Sequence, residues 1–343
     1  MIPPDPEGPK EELEAADIPV YSLGMARGRP SLTGVWRLVR LVREFKPQVV
    51  HAHMIHANLL ARLVRLLAPV PAVVCTAHST LEVGRSLRTE RSTHLAYRLT
   101  DFLCDLTTVV SQEGYRRFLE GKATHPSKFR FVPNAVDTQR FSPDPHLRSL
   151  LREELGLSER DFLWLAVGRL EEAKDYPTLM QAFAQVVADR PAARLFVVGQ
   201  GSLEAELRAL AQALGLGDAV RFLGLRKDIP ALLNAADAFV MSSAWEGMPM
   251  VLLEAHATGL PIVATNVGGI PDVVIPERTG FLVPSQDPIA LAEAMKRLMS
   301  LPSDERVKMG LEGREWVISH YSLDAIMAQW EEIYVSLMAR KRA

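Results

Sequence analysis

Short runs of β-branched and apolar residues alternate with amphipathic stretches along nearly the whole chain. That rhythm admits few folds, because a strand buried on both faces and followed by a helix, repeated, builds a parallel sheet covered by helices. Strands are expected at 49–53, 72–78, 106–110 and 129–133, with helices at 32–45, 57–67, 93–102 and 112–120. A second series follows, with strands at 162–168, 194–199, 220–223, 238–242 and 261–265 and helices at 177–188, 203–214, 229–235 and 250–258. The tail, 287–342, reads as three helices separated by Pro302 and Tyr321. Residues 137–146 carry Pro143 and Pro145 without periodicity, which marks an interdomain linker. At 343 residues and 48% hydrophobic content the chain holds two domains on the usual size prior. The expected fold class is α/β, with two Rossmann-like, doubly wound domains facing across a cleft at the carboxyl ends of their strands.

Charge is uneven although the net value is −2: residues 1–142 hold 19 Lys+Arg against 14 Asp+Glu, and the remainder holds 20 against 27. A basic first half suits an anionic partner, such as a membrane surface or a phosphorylated acceptor, and equally an uneven solvated surface. Cys75 and Cys104 sit in apolar runs and are too few for a disulfide framework or a four-thiolate zinc site, as in a protein of a reducing compartment. No apolar stretch approaches the ~18 residues of a membrane span, and residues 1–10 are Pro-rich and acidic, unlike a signal peptide. The expectation is cytoplasmic.

Three loops at strand ends carry the chemistry. In the first, Ser243, Glu246, Gly247, Met248, Pro249, Met250, Val251 and Glu254 leave a strand through a Gly/Pro turn and enter a helix. Both carboxylates can face a ligand while the helix N-terminus offers free N–H groups to an anion, although a cap plus a surface Glu would look the same. In the second, Gly168 ends a strand and is followed by Arg169 and Lys174 before Pro177. An arginine fork and a lysine point charge suit a pyrophosphate, and solvated surface cations are the plainer alternative. No two aspartates are spaced D-x-D, so metal independence is expected. In the third, Gly199 and Gly201 follow a strand, but Glu204 stands where a dinucleotide fingerprint needs its third glycine, which argues against NAD. Glycine there permits close backbone approach to a nucleoside.

Taken together, Val132-Pro-Asn134-Ala-Val-Asp137, Gly168-Arg169-Leu170, Lys174, Gly199-Gln-Gly201, Phe222-Leu-Gly224, Asp237, Glu246-Gly-Met-Pro249, Glu254-Ala and Gly268-Gly-Ile-Pro271-Asp resemble the family 4 retaining glycosyltransferases of GT-B fold. The resemblance runs from Val49 onward and implies transfer of a sugar from a nucleotide diphosphate donor, UDP- or GDP-linked, to an acceptor hydroxyl in polysaccharide, lipopolysaccharide or glycolipid synthesis. It implies no covalently bound cofactor and no nucleic-acid partner; the acceptor would be a carbohydrate or a lipid-linked molecule. It makes Arg169 and Lys174 the diphosphate clamp, Glu254 the ribose carboxylate and Glu246 the donor-sugar carboxylate, with backbone N–H groups of 248–251 near sugar and phosphate. Arg226, in the loop 225–228, borders the base pocket, and His78 stands beside the transferring sugar. By itself a histidine at a strand end is more often structural.

The same resemblance divides the chain into an acceptor-side domain, 1–142, a donor-binding domain, 143–320, and a C-terminal helix, 321–343, packing back toward the first. Relatives open with a strand, a Gly-rich loop and a helix, then a second strand, before anything like residues 18–23, so the N-terminal domain is expected to be truncated. A nucleotide-sugar binder with weak or absent transfer is the resulting rival. Ala135 replaces the usual glycine beside Asn134. His51, His53 and His56 suit acceptor contacts or sheet-end structure better than a metal, since no acidic or thiol residue accompanies them. Arg37, Arg40 and Arg43 with Trp36, and Arg62 with Arg65, form basic stripes beside apolar positions, as in an interfacial helix peripheral to the inner face of a membrane or in a packed surface helix.

Overall fold

The computed structural model describes residues 8–25, 31–78 and 87–342. Contacts group these into two compact units, the first comprising the described residues up to 109 with 115–131 and 331–342, the second 110–114 and 132–330. The change of unit at 131/132 precedes the 137–146 segment expected as the linker, and that segment runs directly into a helix at Pro145.

In the first unit, β1 (Val49–His53), β2 (Ala72–Ala77), β3 (Leu106–Val109) and β4 (Phe129–Phe131) form a parallel sheet in sequential order. α1 (Gly8–Ala15), α2 (Leu32–Phe45), α3 (Ile55–Val64), α4 (Leu87–Leu99) and α5 (Gln112–Glu120) accompany it. Helix α2 starts at Ser31, whose side chain accepts from the Gly34 N–H, and stops at Lys46 in a left-handed conformation. Val39 and Val42 of α2 pack with Ala61 and Val64 of α3 and with Val73 and Cys75 of β2. A second cluster joins Tyr97, Phe118 and Phe129.

The expected stripe of Arg62 with Arg65 is corrected here. Arg62 is fully buried, donating to the Tyr97 carbonyl, Thr100 and Thr107, with its Nε 3.5 Å from Cys75 Sγ. Arg65 is held by Asp105 at 2.7 Å. Helical spacing put both on one stripe, but the sheet takes one of them into the core.

The second unit contains α6 (Pro145–Glu154), β5 (Phe162–Val167), α7 (Tyr176–Asp189), β6 (Ala193–Val198), α8 (Glu204–Ala213), β7 (Val220–Gly224), α9 (Ile229–Ala235) and β8 (Ala238–Met241). It continues through α10 (Met250–Ala257), β9 (Ile262–Thr265), α11 (Ile270–Val273), β10 (Gly280–Val283), α12 (Pro288–Ser300) and α13 (Ser303–Tyr321) to the start of α14 (Leu323–Arg342), whose residues from 331 on belong to the first unit. Its six parallel strands run in the order β10-β9-β8-β5-β6-β7. β5 therefore lies between β6 and β8, and the chain reverses its direction of travel across the sheet there. The crevice at the carboxyl ends of β5 and β8 is the topological switch point, where open α/β sheets bind ligands. Asp144 and Asp287 cap α6 and α12 ahead of Pro145 and Pro288, and Trp164, Phe183, Leu195 and Met295 fill the core. β10 and α11, four residues each, were not expected from the sequence.

Candidate functional site

The two strands flanking the switch point deliver the two principal loops. Past β5, Gly168 and Arg169 lead to a single turn at Glu172–Lys174; past β8, Ser242 and Ser243 lead to Glu246. The loops are laced together, since Ser242 Oγ donates to the Lys174 carbonyl (2.8 Å) and the Ala244 N–H to the Ala173 carbonyl (2.9 Å). Lys174 Nζ lies 2.5 Å from Glu246 Oε1, and Ser243 Oγ donates to the same oxygen at 2.7 Å. Ser243 is itself fixed, its carbonyl accepting from Thr265 Oγ1 at 2.6 Å. Beneath lies the buried Tyr176, whose phenol donates to the Gly168 carbonyl at 3.3 Å; burial, then the Glu246 charge, pushes its ionisation up. Arg169 stands exposed at the rim.

Two glycine loops support this pair. A Cβ at Gly199, φ +136°, would stand 2.0 Å from the Gly168 oxygen, and one at Gly201 2.2 Å from the Leu170 oxygen. The directions expected to clear a nucleoside thus face the neighbouring loop, and these glycines let the β5 and β6 loops pack backbone on backbone. Gly268 has φ +58°, and a Cβ there would meet the Glu246 oxygen at 2.1 Å; the Gly269 N–H donates to the Gly247 carbonyl at 2.6 Å. No role was expected for this pair, although two glycines after a strand are a readable signal of close approach.

Helix α10 begins at Pro249 without a side-chain cap, so its first N–H groups remain available to a ligand. Asn134 Nδ2 steadies the approach by donating to the Met248 carbonyl at 3.1 Å; Met248 and Val251 are buried, Met250 is exposed. Glu254 lies half-buried in α10. Burial raises its pKa above the usual glutamate range, and Arg140, a residue sequence reasoning passed over, opposes the rise. Arg226, expected at a base pocket, forks onto Asp228 at 2.8 and 2.5 Å, ahead of α9.

His78 belongs to the first unit, just past β2, with its Nε2 2.9 Å from His53 Nδ1. Burial, then the nearby His53, lowers its pKa to about 4. His51 joins them, its ring 4.2 Å from that of His53, whereas His56 is exposed on α3.

Two family models match the chain: Glycosyl transferases group 1 over residues 148–316 and Glycosyltransferase Family 4 over residues 2–140. The D-inositol 3-phosphate glycosyltransferase of Corynebacterium jeikeium is 32% identical over 303 residues, 83% of this chain and 71% of that one. The chain belongs to the group 1, family 4 glycosyltransferases. This glycosyltransferase is also 29% identical over 313 residues to the Escherichia coli UDP-Gal:alpha-D-GlcNAc-diphosphoundecaprenol alpha-1,3-galactosyltransferase, 89% of its own length and 79% of the relative's. It spans 58% and 60% of two GDP-mannose-dependent phosphatidylinositol monomannoside mannosyltransferases that it also matches. The structure of Anabaena HepE with UDP-glucose superposes with a TM-score of 0.84 at 24% identity, covering 95% of this chain and 88% of that one. The glycosyltransferase therefore has the two parallel-sheet α/β domains of the GT-B fold, with the Lys174–Glu246 site at the switch point of the second.

Proposed function

We propose that the protein transfers a glycosyl unit from a UDP- or GDP-sugar to a hydroxyl of a carbohydrate or lipid-linked acceptor, with retention at the anomeric carbon and without a metal. One observation carries this: at the switch point a cation and a carboxylate from different strand-end loops meet at 2.5 Å, beside the uncapped N-terminus of the helix bearing Glu254. Lys174 and Glu246 neutralise one another across their 2.5 Å contact. An arriving diphosphate takes Lys174 and Arg169, supported by the α10 N–H groups of 250–251. Glu246, still aimed by Ser243, turns to the sugar hydroxyls, and Glu254 accepts from the ribose hydroxyls. The departing diphosphate, stabilised by the same cations and helix dipole, takes the acceptor proton on the face it leaves. His78 assists at the sugar.

Leu32, Trp36, Arg40 and Arg43 lie along one exposed face of α2, a pattern suited to anionic lipid. The proposed setting is cytoplasmic, in cell-envelope polysaccharide or glycolipid synthesis at the inner face of the membrane, consistent with the diphosphoundecaprenol-linked acceptor named for the E. coli relative. Thermal shift with UDP, GDP, UDP-galactose and GDP-mannose tests the donor, because a ligand of the folded state raises its melting temperature. EDTA-insensitive binding and a product anomer matching the donor, read by NMR, test the rest. A protein unmoved by every nucleotide refutes the donor site. Flotation with phosphatidylglycerol vesicles, but not phosphatidylcholine vesicles, that is lost in Trp36→Ala tests the membrane contact.

A further inference from the structure

His53 ends β1 and His78 follows β2. In the parallel register His51 faces Val74 and His53 faces Thr76. Each histidine reaches two residues beyond its partner, His51 Nε2 to Thr76 Oγ1 at 2.7 Å and His53 Nδ1 to His78 Nε2 at 2.9 Å. The same diagonal is thus used twice on one face of the strand pair. The His51 end is anchored, with Nδ1 2.7 Å from Tyr334 Oη and Thr76 Oγ1 2.7 Å from Thr108 Oγ1. Its ring leans on that of His53, with centroids 4.2 Å apart and planes at 34°.

We propose that His53 is a positioning residue for His78, fixing its ring plane and its tautomer. Between two neutral imidazoles joined nitrogen to nitrogen, one of the facing atoms carries the hydrogen and the other the lone pair. Whichever state His53 imposes on His78 Nε2, His78 Nδ1 takes the opposite one, and the ring has a single defined donor and acceptor. Partial burial lowers both pKa values and so favours the neutral rings, with His53 adding to the lowering at His78. His51, lowered to about 3 by burial and by its two neighbours, brings no charge to the column.

This rests on the proposed place of His78 beside the transferred sugar, so the test separates the two. The 343-residue protein labelled with 15N-histidine is compared with His53→Phe, which keeps a ring but no nitrogen, and His53→Asn, whose amide can occupy the Nδ1 position. His78→Ala supplies the assignment. The expected wild-type His78 spectrum is that of one neutral tautomer; His53→Phe averages its two nitrogens and His53→Asn restores the single form. Release of UDP from UDP-galactose or GDP from GDP-mannose falls at least about tenfold in His53→Phe with KM unchanged, and recovers in His53→Asn. Wild-type His78 shifts in His53→Phe overturn the proposal, as does turnover within twofold of wild type. Should His53→Phe not fold, His53→Ala gives the same reading. Unchanged turnover in His78→Ala instead overturns the role given to His78, leaving the spectra to judge His53.

Discussion

Replacing Lys174 with methionine keeps most of the side-chain volume and removes the ammonium, leaving Glu246 Oε1 with Ser243 alone. Breaking a fully buried pair costs about 3–5 kcal/mol and an exposed one about 0–1 kcal/mol. The two side chains are 18% and 13% exposed, nearer the buried limit yet reached by water, so we expect about 2 kcal/mol. For a unit of this size that is a fall of about 4–8 °C in Tm. Adding Glu246→Gln removes the stranded charge, and the double variant regains about half of the loss or more, a coupling of about 1 kcal/mol. Nucleotide affinity behaves differently. One lost charged hydrogen bond, about 1.5–3 kcal/mol, weakens UDP or GDP binding at least about tenfold, and Glu246→Gln does not bring it back. Scanning fluorimetry and titration calorimetry on the four proteins measure both. Additive Tm losses would refute the ion-pair reasoning, and wild-type affinity in Lys174→Met would refute the clamp.

Burial raises the Glu254 pKa, so the group favours the folded state below its ordinary value, and that benefit is lost as pH rises through the folded-state value. Glu254→Gln should therefore melt no lower than wild type at pH 8, with the gap closing toward acid, while binding UDP or GDP about tenfold more weakly or worse; a lower Tm at pH 8 contradicts the first part. Gly268→Ala forces a Cβ to 2.1 Å from the Glu246 oxygen at φ +58° and should cost about 2 kcal/mol or more with a loss of donor binding; calorimetry indistinguishable from wild type contradicts it. Arg62→Leu removes the guanidinium hydrogen bonds to the Tyr97 carbonyl and Thr107 in the core of the first unit and should cost about 2–3 kcal/mol by urea titration, without changing UDP or GDP affinity.

Local chemistry made much of the molecule readable. The bounds expected for the strand at 49–53 and the helices at 32–45, 112–120 and 229–235 are those observed, because each has an apolar period and a terminating residue within its own length. Pro302 and Tyr321 divide the tail as their stiffness and position suggested. The strand-end placement of Gly168, Lys174 and Glu246, and of Glu254 in the helix that follows, was equally legible, since a Gly/Pro turn after an apolar run needs no tertiary information.

Tertiary structure alone decided what those faces meet. The sixth strand, Gly280–Val283, was not read from the sequence, and only its pairing with β9 reveals it. Helical spacing could not tell the buried Arg62 from the surface Arg40, because period reports a direction and not the surface it presses against. Lys174 and Glu246 lie 72 residues apart, and only the return of the chain from β7 to β8, on the far side of β5, brings them together. The glycines at 199, 201 and 268 were visible as breaks in pattern, but the carbonyls they accommodate come from other loops. Sequence fixes the conformations a segment prefers; its partners follow from strand order, which is settled by the burial of the whole sheet at once.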